Sequence, residues 1–433
     1  MITRAASAVM PRLEALLDVG SVATSGTDPW AVDGMAPVAA VRPADDEQVA
    51  AVLRVCAEHG ASVVPWGGGT AMSVGNLPRA VDIVLRTDRL AAVVEHDHQN
   101  LTVTAQAGIT LGTLGAALAA HQQFLPLEPP HAEAATAGGA VAVNLNGPRR
   151  MRYGSARDFV IGMRAALPDG TVIRAGGKTV KNVAGYEMGR LFVGSLGTLG
   201  VLTELTFKLS PLPETSRTMA LWARGPAALS VVADHLSASA LTPSAVALVN
   251  PAAARSLGRD GWGLLVRAEG VEPAVARHER DISGWASGVG LEVKALAGDR
   301  ETAVWQAVRD FGWKGEAAAV RLSVPPGATA ALLDDLRSIL PESAGLAVDL
   351  GTGTVWIGFD AATSATSALP GLRALVERVS GNLLAARAPR EVKVLADVWS
   401  PSPPPRALEI MRELKQSFDP HHILNPGRFV AGL

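Results

Sequence analysis

The sequence predicts an α+β protein of more than one domain. Three observations carry that expectation. Short strand-like runs alternate with amphipathic helical segments over residues 36–213, and glycine-rich segments interrupt them at 67–69 and 136–147. After Pro211 and Pro213 the texture changes to alanine-rich helices interleaved with strands. At 433 residues the chain can bury two or three separate cores.

The elements follow in order. Val9, Leu13, Leu16 and Leu17 are spaced as one face of a helix within residues 1–20. That stretch lacks the basic start, unbroken apolar run and cleavage site of a secretory leader, so a cytoplasmic protein is expected. Asp45, with Gln48 three residues on, caps a helix that buries Val49, Val52, Leu53 and Cys56. Gly60 ends it, and 61–65 reads as a buried strand running into Gly67-Gly68-Gly69. Further strands are expected around 81–85, 91–95 and 101–105, then a helix from Thr110 with Leu111, Leu114 and Leu118 inward. Beyond the proline-rich loop 125–130, Pro168-Asp169-Gly170 marks a hairpin, and 194–208 passes from a glycine turn into an apolar strand. Strands at 245–249, 263–268 and 354–359 punctuate the following region. The prolines of 401–405 precede a last helix carrying Leu408, Met411 and Leu414.

Composition removes several function classes. The 39 Lys+Arg balance 41 Asp+Glu, which gives no electrostatic reason for a nucleic-acid or anionic-membrane partner. No apolar run approaches the ~20 residues of a membrane span. Cys56 is the only cysteine, so disulfide frameworks, Cys-rich zinc sites and Cys-ligated iron–sulfur clusters are excluded within the chain.

The most informative segment is Pro65-Trp66-Gly67-Gly68-Gly69-Thr70-Ala71-Met72-Ser73. Consecutive glycines after a strand let N–H groups converge on an anion, and a diphosphate suits such a loop. A tight structural turn accounts for the glycines equally well. The dinucleotide fingerprint fails, since Met72 stands where its last Gly belongs. Gly177-Lys178-Thr179 resembles the end of a Walker A loop but has Val172 at the required first glycine. His96, His98, His421 and His422 lack the carboxylate context of a metal site.

Taken together, the motifs resemble the FAD-binding domain of the vanillyl-alcohol oxidase/p-cresol methylhydroxylase superfamily, and within it the FAD-binding E subunit of glycolate oxidase. They are residues 65–73, Pro129, Ala135-Thr136-Ala137-Gly138-Gly139, Asn144, Gly147 and Arg152-Tyr153-Gly154. Leu167-Pro168-Asp169-Gly170, Lys181-Asn182-Val183-Ala184-Gly185-Tyr186, residues 194–201 and the tail from Asp419-Pro420 to Asn425-Pro426-Gly427 complete the set. The likeness is strong over about 30–213, weak over 214–400 and good over 415–428. It implies a two-subdomain FAD-binding domain over 31–213 (about 31–125 and 126–213), preceded by the helical segment 1–30. An α+β cap would span 214–400, and the helix and tail of 401–433 would return to the FAD domain.

The resemblance also implies roles. Trp66, Gly67, Gly68, Gly69, Thr70, Ala71, Met72 and Ser73 would form the loop holding the FAD pyrophosphate. Pro129, Thr136, Gly138, Gly139, Ala142, Asn144 and Gly154 would line the isoalloxazine and ribityl chain. Val201 would offer backbone to the adenine, and Asn425 would lie near the ring edge. Covalent relatives attach flavin through a histidine in the first loop or a cysteine in the second segment. Thr70 and the absence of a cysteine beyond Cys56 imply non-covalent FAD.

Catalytic relatives also carry cap-domain histidines that bind a metal. Here no histidine occurs between His278 and His421, and residues 348–353 stand where the metal motif would be. The implied function is therefore an FAD-dependent oxidoreductase acting on CH–OH donors, as one subunit of a glycolate or D-2-hydroxyacid dehydrogenase. Partners would be a catalytic flavoprotein and an iron–sulfur subunit, with any contact to the inner membrane made through them. If this chain oxidises a 2-hydroxy acid itself, Arg387 or Arg390 could hold the carboxylate, and Tyr153 and Lys181 are further catalytic candidates. A stand-alone oxidase or dehydrogenase and a flavin-fold scaffold without catalysis are the alternatives.

Overall fold

The computed structural model describes residues 4–178 and 187–433. Its backbone groups into two units. The first comprises residues 1–145, 155–211 and 402–433, and the second 146–154 and 212–401. The short excursion 146–154 thus belongs with the second unit although its neighbours in sequence do not.

Among the described residues the first unit holds a four-stranded sheet, a five-stranded sheet and a two-stranded pair of Gln123–Phe124 with Ser210–Pro211. In the first, Ala39–Val41, Ile83–Arg86 and Val63–Trp66 run parallel, with Val22–Ala23 antiparallel at the edge. The helix Asp46–His59 begins where the Asp45 carboxylate accepts from Gln48 N–H at 2.7 Å and Gln48 Oε1 accepts from Ala44 N–H. Gly60 closes it at φ +68°. Val49, Val52, Leu53 and Cys56 face the core together with Val9 and Leu13 of the helix Arg4–Leu16. Burial, then the charge of Asp82, pushes the Cys56 thiol up to about 12, which leaves it an inert core group.

The second sheet is antiparallel throughout, in the order Val93–Asp97, Thr102–Gln106, Val201–Lys208, Val160–Ala166, Val172–Gly176. Its last pair turns at Pro168-Asp169-Gly170, with Gly170 at φ +86°. The chain's last helix, Pro405–Phe418, leads into a tail that lies beside the first sheet. There Val63 N–H donates to the Ile423 carbonyl and Asn425 N–H to the Val63 carbonyl, so the tail covers an otherwise open sheet edge.

The second unit is one nine-stranded sheet with every pairing antiparallel. Strands Thr215–Ala223, Trp262–Gly270, Ala245–Val249, Gly345–Asp349, Thr354–Phe359 and Ala318–Ser323 form its middle. Apolar alternation buries one set of side chains, such as Ala220, Ala247 and Leu265, against Trp305 and Val308 of the helix Gly298–Arg309.

Candidate functional site

Strand Val63–Trp66 delivers Gly67-Gly68-Gly69 into a turn. Beside it the helix Ala137–Val143 starts at Thr136, whose hydroxyl accepts from Gly139 N–H at 3.2 Å. The two glycine segments pack backbone against backbone. A Cβ on Gly67 would lie 2.1 Å from Thr136 Oγ1, and one on Gly68 would lie 2.0 Å from the Ala134 carbonyl oxygen. On Gly138 it would meet the Ala107 methyl at 2.8 Å. Only Gly69, at φ +71°, needs glycine for its backbone conformation.

These segments wall a cleft that opens to solvent. The lining is mostly apolar, and it includes residues 66–72, Thr136, Gly138, Gly139, Ala142, Val201 and Asn425. The backbone N–H groups of residues 67–70 donate to no acceptor among the described residues.

The tail completes the wall. Asn425, at φ +42°, donates from Nδ2 to the Leu196 carbonyl, while its Oδ1 is buried without a partner. Arg428 reaches the carbonyls of Met72 and Val74 through one terminal nitrogen, and its Nε is likewise buried and unpartnered. Burial pushes this guanidinium down to about 10, with the charge of Asp33 opposing. Open N–H groups beside a buried cation suit a diphosphate, and apolar walls suit a flat ring. The residues present therefore fit a flavin dinucleotide.

Of the residues expected to hold the cofactor, all but Ser73, Pro129, Asn144 and Gly154 line this cavity. Ser73 lies just past the first loop, and Pro129 is buried in the loop before the second glycine segment. Asn144 caps the helix Ala137–Val143 at φ +54°, and Gly154 is a residue of the second unit. Arg428, Ser195, Gly197 and Ala107 also line the cavity and were missed. Ser195 and Gly197 fall inside the glycine motif 194–201, in which the resemblance implies a role only for Val201. Arg428 had no local signal beyond following Asn425-Pro426-Gly427.

The second unit gathers a different cluster. Glu269, its side chain fully buried, receives Arg149 through Nε and Nη2 at 3.1 and 2.5 Å, and Arg267 lies 3.3 Å from the same oxygen. Burial pushes the Glu269 carboxyl up, but Arg149 and Arg267 outweigh it and hold the group below its ordinary range. Tyr153 places its hydroxyl 3.5 Å from Glu269 Oε2, and burial, then Glu269, pushes the phenol up. Arg152 donates to the Glu269 carbonyl. Segment 146–154 is thereby riveted to strand Trp262–Gly270, which makes Tyr153 part of a structural latch.

Arg387 donates to the Glu316 carbonyl, Arg390 is exposed at the start of the helix Arg390–Leu395, and Lys181 lies outside the described residues, as does its motif. His96 and His98 each bring their rings within 4.9 Å of His121. Among the described residues, however, no three His, Cys, Asp or Glu side chains are placed to hold a metal ion.

Comparisons with known proteins agree with this geometry. Residues 37–176 match the FAD binding domain, and residues 402–429 match the C-terminal domain of FAD linked oxidases. Glycolate oxidase subunit GlcD of Bacillus subtilis is 39% identical over 203 residues, 47% of this chain and 43% of that one. Glycolate oxidase subunit GlcE of Escherichia coli is 50% identical over 128 residues, 29% of this chain and 37% of that one. Bovine mitochondrial D-2-hydroxyglutarate dehydrogenase is 29% identical over 413 residues, 89% and 75% of the two chains. Apart from the bovine enzyme, the matched regions of these relatives span less than half of their own length.

Among solved structures, p-cresol methylhydroxylase with substrate bound superposes with a TM-score of 0.73 at 18% identity, covering 99% of this chain and 97% of that one. Alkyldihydroxyacetonephosphate synthase gives 0.73 at 15% identity, over 96% and 84%.

The fold and the glycine-walled cavity define an FAD-binding protein. More particularly, the chain carries the FAD-binding domain and the C-terminal segment of the FAD linked oxidases on a fold of the vanillyl-alcohol oxidase/p-cresol methylhydroxylase type.

Proposed function

We propose that this chain is an FAD-dependent oxidoreductase subunit acting in the oxidation of glycolate or a related D-2-hydroxy acid. The cavity between the two glycine segments, with its open N–H groups and buried Arg428, is the observation that carries the proposal. The named relatives point the same way, toward hydroxy acids as the substrate class. Residues 66–73 would hold the diphosphate, and Thr136, Gly138, Gly139, Ala142 and Asn425 would face the ring system, with Pro129, Asn144 and Gly154 as further contacts. Bound FAD supplies a two-electron acceptor for the hydride of the alcohol carbon. The chain's own part is to orient that acceptor through backbone N–H groups and to keep its surroundings apolar.

The flavin is bound without a covalent link, since neither the first loop nor the second segment offers a histidine or cysteine. Partner subunits of the glycolate oxidase kind, a second flavoprotein and an iron–sulfur protein, complete the electron path. No helix among the described residues is long and apolar enough to cross a membrane.

Two measurements test this. The purified chain should be yellow and should release intact FAD in acid or detergent. A colourless chain would favour the scaffold alternative, and flavin left on the denatured polypeptide would overturn the non-covalent assignment. Anaerobic glycolate or D-lactate should bleach the lone flavin slowly, regardless of EDTA, and quickly once partners are added. Fast reduction of the lone chain would favour a stand-alone dehydrogenase.

A further inference from the structure

The tail of the first unit docks with strain and with polar atoms left over. After the helix Pro405–Phe418 it runs along two earlier segments. Val63 N–H donates to the Ile423 carbonyl at 2.8 Å and Asn425 N–H to the Val63 carbonyl at 3.0 Å, with Leu424 the bridge partner of Val63. Further on, Asn76 N–H donates to the Arg428 carbonyl at 2.9 Å and Arg79 N–H to that of Pro426 at 2.8 Å. Asn76 Nδ2 adds a bond to the Phe429 carbonyl at 3.1 Å. To follow this course His422, Asn425 and Ala431 take φ of +51°, +42° and +55°. Residues with a Cβ seldom adopt that conformation, and alanine has no polar side chain to favour it.

The left-over atoms face the cleft. Asn425 and Arg428 both line it. Asn425 Nδ2 is spent on the Leu196 carbonyl, and one Arg428 nitrogen on those of Met72 and Val74. Asn425 Oδ1 and Arg428 Nε, by contrast, are sealed from solvent without a partner among the described residues. With the tail lifted away, both atoms return to water. Docking onto an empty cleft therefore forfeits their hydration, and docking onto a filled one need not. Release has a second consequence. Val63–Trp66 is the outer strand of its sheet, and the tail is what covers that edge.

We propose that docking of residues 419–433 is coupled to occupancy of the cleft, so that the empty chain releases its tail part of the time and the bound dinucleotide holds it down. A ligand that answers Asn425 Oδ1 and Arg428 Nε finds them in place only in the docked state, and differential affinity for two states is what shifts their populations. The linkage is reciprocal: whatever pins the tail tightens the ligand by the same factor. The ligand is taken to be FAD, and in that the coupling rests on the function proposed above. A chain without flavin thereby bares the edge of strand Val63–Trp66, and a loaded one conceals it.

Hydrogen exchange, read by mass spectrometry on the full chain stripped of flavin and then reloaded with FAD, is the first test. Peptides covering 419–433 should exchange about tenfold faster in the empty chain. The helix Asp46–His59, which lies in the same unit and contributes nothing to the cleft wall, should change far less. Equal slowing of both by FAD would be plain stabilisation of the whole unit and would overturn the coupling. A second arm pins the tail. Val63→Cys with Leu424→Cys joins two bridge partners within disulfide reach, in a Cys56→Ala chain because Cys56 shares their core. Oxidised, this protein should bind FAD about tenfold more tightly than when reduced. Equal affinity overturns the proposal. Where melting curves show that the cysteine pair fails to fold, Asn76→Ala carries this arm. Asn76 is not part of the cleft wall and gives the tail one side-chain bond. Its loss should quicken tail exchange in the empty chain and weaken FAD about threefold. Faster exchange with unchanged FAD affinity also overturns the coupling. A chain that takes up no FAD rejects the flavin reading and the coupling together, whereas one that takes up FAD with an indifferent tail rejects the coupling alone.

Discussion

Arg428 holds the carbonyl oxygens of Met72 and Val74 with one nitrogen, at 2.5 and 2.6 Å, from a position 356 residues away from Met72. A carbonyl engaged from behind fixes the peptide planes of the loop, and its N–H groups are thereby fixed as well. The side chain is buried, so this clasp is worth more than an exposed one. Hydrogen bonds from a charged donor contribute about 1.5–3 kcal/mol each. Arg428→Met should lower unfolding stability by about 2–4 kcal/mol in urea titrations and weaken FAD more than tenfold in a fluorescence titration. Arg428→Lys should recover part of both. Unchanged FAD affinity in the methionine variant would mean that the loop holds its own shape.

Glycine at 68 is required by its neighbour. A branched side chain there would obstruct N–H approach to a diphosphate, and would be strained if Gly68 had positive φ. The structure gives positive φ to Gly69 and sets Gly68 against the Ala134 carbonyl, 2.0 Å from where a Cβ would stand. Even Gly68→Ala should therefore separate the two glycine segments and empty the protein of flavin, and Gly68→Val should do so completely. Gly115 provides the contrast, because it lies within the helix Leu111–Ala119 with nothing within 4 Å of its Cβ direction. Gly115→Ala should leave flavin content intact and raise stability by about 0.5–1 kcal/mol. Full flavin occupancy in Gly68→Ala would contradict the packing argument.

The tail depends on one buried ion pair. Lys415 Nζ donates to Asp419 Oδ2 at 2.6 Å and to the carbonyls of Thr198 and Leu424, while Asp419 accepts from the N–H groups of Ile423 and Leu424. Burial lowers the Lys415 ammonium despite Asp419. Removing one partner strands the other, at a cost of about 3–5 kcal/mol. Lys415→Met should show that loss in denaturant melts and should speed proteolysis of the tail. Loss of less than about 1 kcal/mol would place the tail's anchorage in the Val63 backbone bonds alone.

Much of this was legible from local chemistry. Asp45 with Gln48, Thr110 before Leu111, and Pro168-Asp169-Gly170 each signal their element within a few residues, and each is found where expected. The first glycine loop is visible as three consecutive glycines after a buried strand, although the run alone suits a plain turn equally well. What stayed hidden depends on distant pairing. Nothing near Arg428 announces Met72, and nothing near Arg149 announces Glu269. The excursion of 146–154 into the second unit has the same origin, since Arg149 and Arg152 find their partner on strand Trp262–Gly270.

Two carboxyls of the second unit, Glu269 and Asp349, should respond to pH with opposite sign. Glu269 is held below its ordinary value because Arg149 and Arg267 outweigh burial. Its stabilisation is complete above the unfolded carboxyl's range, about pH 4–5, and is lost as pH falls through the depressed folded value. Asp349 is the reverse: burial pushes it up to about 6, against hydrogen bonds from Thr352 and Gly351. It costs the fold nothing when protonated in both states, below about pH 4, and the cost builds as pH rises from there to about 6 and is complete above that. Glu269→Gln should therefore destabilise at pH 7.5 by about 3–5 kcal/mol, because Arg149 and Arg267 lose their carboxylate, with a smaller loss near pH 4. Asp349→Asn keeps the Oδ1 that accepts from Gly351 and Thr352. It should stabilise at pH 7.5 by about 1–3 kcal/mol and change little at pH 4. Urea unfolding of both variants at the two pH values checks this. An Asp349→Asn variant weaker than wild type at pH 7.5 would mean that the charged carboxylate is held favourably by Arg150, and the assigned sign would be wrong.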